Sequence, residues 1–178
     1  MKKLLSIVAI TGLLATGAMA SNTKIGIYGG YGAGSYDVQN YDYDHSMHVM
    51  EGGVFADNVY GHLYTGLQIG YQKYKYTTAK PSDIILRGKV GVHFNAIKPV
   101  NVYGILAGGY GGESEYDHAT FGYGVGIGVD FTKHWGIELN YLHTTDNFIN
   151  SDYPADDTSY PTIQATTNRG EAFIKYSF

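Results

Sequence analysis

Arg169-Gly170-Glu171-Ala172-Phe173-Ile174-Lys175-Tyr176-Ser177-Phe178 repeats with period two. Ala172, Ile174, Tyr176 and Phe178 form one apolar row. Glu171, Phe173, Lys175 and Ser177 form the other, which carries two opposite charges. A β-strand turns successive side chains to opposite faces, so this pattern fits a strand whose two faces meet different media. It stops on an aromatic, which predicts an end that is read or anchored. A half-buried strand of a water-soluble sheet shares the alternation, so the rest of the chain has to decide.

Met1-Lys2-Lys3 is a basic opening, residues 4–14 are mostly apolar, and Ala18-Met19-Ala20 supplies small residues where a signal peptidase reads. That is the pattern of a secretory signal peptide over 1–20, with cleavage expected before Ser21. A single domain of 158 residues (178 − 20), 21–178, would remain. There is no cysteine, so export brings no disulfides, and stability rests on burial and backbone pairing. No other apolar run approaches the ~18 residues of a membrane-spanning helix, so any crossing is made by strands. Without Lys2 and Lys3, 10 basic residues face 16 acidic ones, a net of −6. This argues against a nucleic-acid partner. Tyrosine, present 18 times, has an apolar ring and a wet hydroxyl and suits boundaries between oil and water.

Eight alternating segments follow, at about 23–36, 45–57, 61–76, 83–95, 100–111, 118–131, 135–145 and the closing stretch. The sixth is the clearest: Phe121, Tyr123, Val125, Ile127, Val129 and Phe131 alternate with Gly122, Gly124, Gly126, Gly128 and Asp130. Short turns are expected at 57–60 (on the signal of Asp57-Asn58), 95–99 and 132–134. They interleave with longer breaks at 37–44, 77–82, 112–117 and 146–168. Short turns on one side and longer loops on the other mark an outer-membrane barrel. The expected fold is therefore all-β: an eight-stranded antiparallel up-and-down transmembrane β-barrel, both chain ends on the short-turn side.

The less apolar row decides which face points inward. It is mainly glycine and tyrosine, with sparse charges: Lys24, Arg87, Lys89 and Lys175 against Glu51, Asp130, Glu138 and Glu171. Four of each sign cancel, and buried charge is tolerated when paired, so these eight are read as lumen charges. The apolar rows end in aromatics. Phe94, Phe131, Trp135, Tyr176 and Phe178 lie near the short turns, with Tyr31, Tyr71, Tyr110 and Tyr141 toward the loops. Two such rings are the girdles of a membrane barrel. Eight strands leave room only for their own side chains, and the glycines at 122–128 make space for rings such as Tyr28, Tyr64 and Tyr103.

With its leader, eight strands, one-sided loops and a last strand ending Tyr176-Ser177-Phe178, the chain resembles the small outer-membrane barrels of the OmpX/Ail, opacity-protein and OmpA-transmembrane kind. The resemblance covers essentially the whole mature chain. It implies a location in the Gram-negative outer membrane, and that Tyr176 and Phe178 form the signal read by the barrel-assembly machinery.

Some barrels of this size cut or transfer acyl chains on lipid A. The deacylase kind needs a His-x-Ser pair, because the serine hydroxyl must be activated by a neighbouring base. None of the 7 histidines has serine at plus two. His118-Ala119-Thr120 is the nearest approach, and His143 with Asp146 resembles the His/Asp pair of outer-membrane proteases, which are larger, ten-stranded proteins. No histidine pair has zinc spacing. No catalytic residue, metal or cofactor is expected.

The remaining reading is a non-enzymatic, monomeric barrel serving envelope integrity or surface contact; a lipid A-modifying enzyme and a narrow channel are the alternatives. Eleven carboxylates fall in or beside the expected outer loops: Asp37, Asp42, Asp44, Asp83, Glu113, Glu115, Asp117, Asp146, Asp152, Asp156 and Asp157. Tyr36, Tyr41, Tyr43, Tyr116, Tyr153 and Tyr160 interleave with them, a face able to meet a host or surface ligand. Lys73, Lys75, Lys80 and Arg169 lie near the expected outer rim, placed to meet lipopolysaccharide phosphates.

Overall fold

The computed structural model describes residues 23–38, 44–75, 82–95, 99–113, 116–150 and 163–178. Eight strands run in chain order: β1 (Thr23–Val38), β2 (Asp44–Tyr60), β3 (Leu63–Lys75), β4 (Ser82–Asn95), β5 (Pro99–Glu113), β6 (Tyr116–Asp130), β7 (Trp135–Asn150) and β8 (Ile163–Ser177). Each pairs antiparallel with the next, and β8 returns to β1, closing the barrel. The expected fold is the observed one.

The register fixes the geometry. Followed straight across the strands, the pairing runs from Ile27 through Val54, Ile69, Leu86, Gly108, Phe121, Thr145 and Thr166 to Asp37. One circuit therefore climbs ten residues (37 − 27). Eight strands with that stagger tilt by roughly 40° and enclose a backbone cylinder of about 8 Å radius, which side chains fill. The same stagger ranks heights: a level line slips by ten-eighths of a residue per strand. By that measure Tyr31, Tyr71, Tyr123 and Tyr141 share one height, while Tyr110 stands above it. The upper girdle thus recruits Tyr123 where the sequence pointed to Tyr110.

The apolar rows face outward, as expected. Ile27, Val54, Val90, Leu106, Val125, Leu139 and Ile174 are all exposed on the barrel exterior. Tyr28, Tyr64 and Tyr103 are buried inside. Space for them comes from missing side chains: a Cβ on Gly126 would sit 2.4 Å from the Tyr103 ring.

Three expected boundaries move. β2 does not turn at Asp57-Asn58 but runs on to Tyr60, and the turn is made by Gly61 and His62. Gly61 supplies the left-handed conformation there, with φ 58°. Asp57 is instead held inside the barrel by Lys175, which outweighs its local turn preference. The break expected at 112–117 shrinks, because the ladder continues to Glu113 opposite Tyr116. The long polar stretch after residue 145 is partly strand, since β7 reaches Asn150 and β8 begins at Ile163. Above the membrane neither face is apolar, so the ladder continues without the alternation that would announce it.

Candidate functional site

The lumen holds a column of charge. Near its top, Arg169 donates to Glu171 Oε1 at 2.7 Å, and Arg87 reaches the same oxygen at 2.9 Å. Arg87 also forks onto both oxygens of Glu51, with Nη2–Oε2 at 2.7 Å. Tyr28 and Gln72 donate to Glu51 as well, at 2.5 and 2.6 Å. Lower down, Glu138 takes Lys89 at 2.5 Å, Lys175 at 2.8 Å and the Gln68 amide at 2.8 Å. Lys175 also bonds Asp57. Lys24 and Asp130 pair at 2.7 Å near the short-turn end, partly exposed.

Four of these cations are further held by rings. Arg87 lies over Phe173, Lys89 over Tyr103, Arg169 over Tyr74 and Lys175 over Phe55, 4.1–5.6 Å from the centroids. Every one of the eight predicted lumen charges is in this column. Two members were missed, Arg169 and Asp57, and they are of opposite sign. Over the described ion pairs, five cations therefore face five anions, and such pairing is what ions removed from water require.

Arg169 is thus corrected. It was expected at the outer rim facing lipid phosphates, but its side chain is 1% exposed and ion-paired inside. Its parity on β8 matches Glu171 and Lys175, which forces it inward. Asp83 and Asp146, expected among the outer-loop carboxylates, are likewise buried on the inner face. Asp146 accepts from the Thr120 hydroxyl at 2.5 Å. His143 sits on the outer face of β7, opposite to Asp146, and bonds Asn168 Oδ1 at 2.8 Å; the two do not form a pair. Among the described residues no cluster of His, Cys, Asp or Glu is arranged to hold a metal ion.

Outside, Lys73 and Lys75 are exposed and point outward on β3, above Tyr71. Among the described residues neither meets a carboxylate. His48 lies directly opposite Lys75 and bonds the Tyr31 hydroxyl. Lys80 lies outside the described residues. So do Asp42, Glu115, Asp152, Asp156 and Asp157. At the other rim, Tyr176 packs against Trp135, His134 and Phe178, with centroids 4.9–5.8 Å apart. Phe178 is 79% exposed, and its N–H donates to Ile25 O at 3.0 Å.

Residues 6–168 match the family described as outer membrane protein β-barrel domain. The chain belongs to that family. Among solved structures, this outer-membrane barrel is similar to Ail, the attachment invasion locus protein of Yersinia pestis. The TM-score is 0.51 at 13% identity, over 88% of this chain and 99% of that one. Neisserial surface protein A gives 0.49 at 12% identity, over 85% and 97%. OprG of Pseudomonas aeruginosa gives 0.37 at 10%, over 90% and 98%. No curated protein matches it in sequence. At such identity the likeness to Ail concerns the fold; what the barrel does has to be argued from its own side chains.

Proposed function

We infer that this outer-membrane barrel is a non-enzymatic envelope protein whose working surface is its exterior. The observation that carries this reading is the contrast in how cations are used. Inside, every cation of the column has a carboxylate and the lumen is filled, which works against a solute path. Outside, Lys73 and Lys75 stand together above the tyrosine girdle with no carboxylate of the described residues beside them, at the level where outer-leaflet headgroups begin. Among the described outward positions no other lysine or arginine stands above that girdle. A pair of lysines in that place attracts the phosphates of lipopolysaccharide, with His48 alongside. The barrel would then tie outer-leaflet lipids together, a leader peptide would export it, and Tyr176 and Phe178 would present it to the assembly machinery.

Replacing Lys73 and Lys75 by glutamine should lower the resistance of cells to detergent and chelator at equal protein level. Unchanged resistance would count against the assignment. Lipid A from cells with and without the protein should have the same mass, since a shift would reveal an acyl-modifying enzyme. In planar bilayers steady conductance should be absent. A second reading, contact with another surface through the loops, draws on the attachment role in Ail's name and on the tyrosines and carboxylates interleaved in the loop sequences. Swapping the loops at constant barrel sequence would test it through cell binding.

A further inference from the structure

The lysines occupy one side of the exterior, and the neighbouring side differs in kind. Every outward position of β8 from Gln164 to Tyr176, and of β7 from Trp135 to Asn147, is uncharged. At the height of the upper girdle the surface there is notched. Gly170 faces outward, and a Cβ built on it would meet nothing within 4 Å. Its cross-strand partner on β1 is Ala33, and its partner on β7 is Tyr141. Ala172, two residues down β8, is flanked by Tyr31. The floor is therefore made of small residues, with a tyrosine on each side.

Both rings are fixed by their hydroxyls: Tyr31 bonds His48, and Tyr141 donates to Asn168 Oδ1 at 3.2 Å. Asn168 Oδ1 also accepts from His143 Nδ1, at 2.8 Å. That arrangement leaves the Asn168 amide N–H donors and the His143 Nε2 lone pair at the upper edge of the notch.

We propose that this notch seats a sugar ring of a phosphorylated glycolipid of the outer leaflet, the same molecule whose phosphate reaches Lys73 and Lys75. The inference rests on the lysine reading above and extends it. A pyranose has an apolar face that lies against tyrosine rings and an edge of hydroxyls that needs neutral donors and acceptors. The notch offers both, and it is continuous with the lipid-facing belt. Charge complementarity fixes the direction in which the molecule lies, with phosphate toward β3 and ring toward β8. Three strand spacings separate these, ~14 Å across the surface, a span suited to a phosphorylated disaccharide. A plain phospholipid has a phosphate but nothing to fill the notch.

The experiment is native mass spectrometry of the refolded full chain in detergent, titrated with bis-phosphorylated lipid A, dephosphorylated lipid A and phosphatidylglycerol. Gly170→Val fills the notch from an exposed strand position, and Gly170→Ala adds one carbon as a milder version. Heat-modifiable migration checks that both remain folded. The expected result is that Gly170→Val weakens both forms of lipid A by about fivefold or more, with Gly170→Ala in between and phosphatidylglycerol unchanged. Lys73→Gln with Lys75→Gln should instead abolish the preference for the phosphorylated form. If folded Gly170→Val binds both lipid A forms as the unaltered chain does, the notch is not the seat of the sugar. The lysine reading then still stands, provided the phosphate preference vanishes with the lysines. If the phosphate preference survives their loss, that reading fails and this one with it.

Discussion

Compare the two faces of β8. Inward it carries Arg169, Glu171 and Lys175, each buried and each held by residues from other strands; outward it carries Gly170, Ala172 and Ile174, which touch little. One strand thus bears the barrel's most constrained residues and some of its least constrained, a residue apart. The difference teaches that stability is concentrated inside the cylinder. The exterior is left free to suit whatever surrounds it.

The largest expected effect comes from breaking the inner side. Arg87→Met leaves Glu51 and Glu171 without their shared cation, and removing one partner of a buried pair costs roughly 3–5 kcal/mol. The variant should lose the folded, heat-modifiable band or refold only at lower urea. In the Arg87→Met background, Glu171→Gln should cost less than it does alone, and urea titration of the four proteins measures that coupling.

Gly126→Leu is next. It forces a side chain into the Tyr103 ring, for a destabilisation of about 1–3 kcal/mol in the same assay. At the other extreme, Lys73→Gln and Lys75→Gln should each move stability by less than about 0.5 kcal/mol, as exposed sites do. If they proved as damaging as Arg87→Met, the distinction between the two faces would collapse.

Much of this was legible in the sequence because a membrane barrel sets oil against a polar filling. Wherever both media are present, as from Phe121 to Phe131, parity alone assigns every side chain. All eight predicted lumen charges were found this way. Legibility fails toward the loop end, where lumen and exterior are both polar and the alternation loses contrast. Arg169 was misplaced for that reason, although it shares the parity of Glu171. Asp57 was misread because Asp-Asn is a good local turn, and nothing local reveals that Lys175, 118 residues away, competes for it. The notch at Gly170 was invisible to pattern reading, since a missing side chain becomes a feature only when its neighbours across the strands are known.

The partners of β8 also bear on how the cylinder comes together. Asp57, Arg87 and Glu138 sit on strands made earlier; Asp57 meets its cation Lys175, and Arg87 and Glu138 gain their second partners Glu171 and Lys175, only when the final fifteen-residue strand arrives. A slip of two residues would keep grease outside and still bring Phe173 or Arg169 to the place of Glu171. A hydrophobic tally would accept that error; electrostatics would not. The last segment therefore works as a combination lock, so chains that are truncated or threaded out of step leave unneutralised ions in the wall and should be the ones cleared before they reach the cell surface.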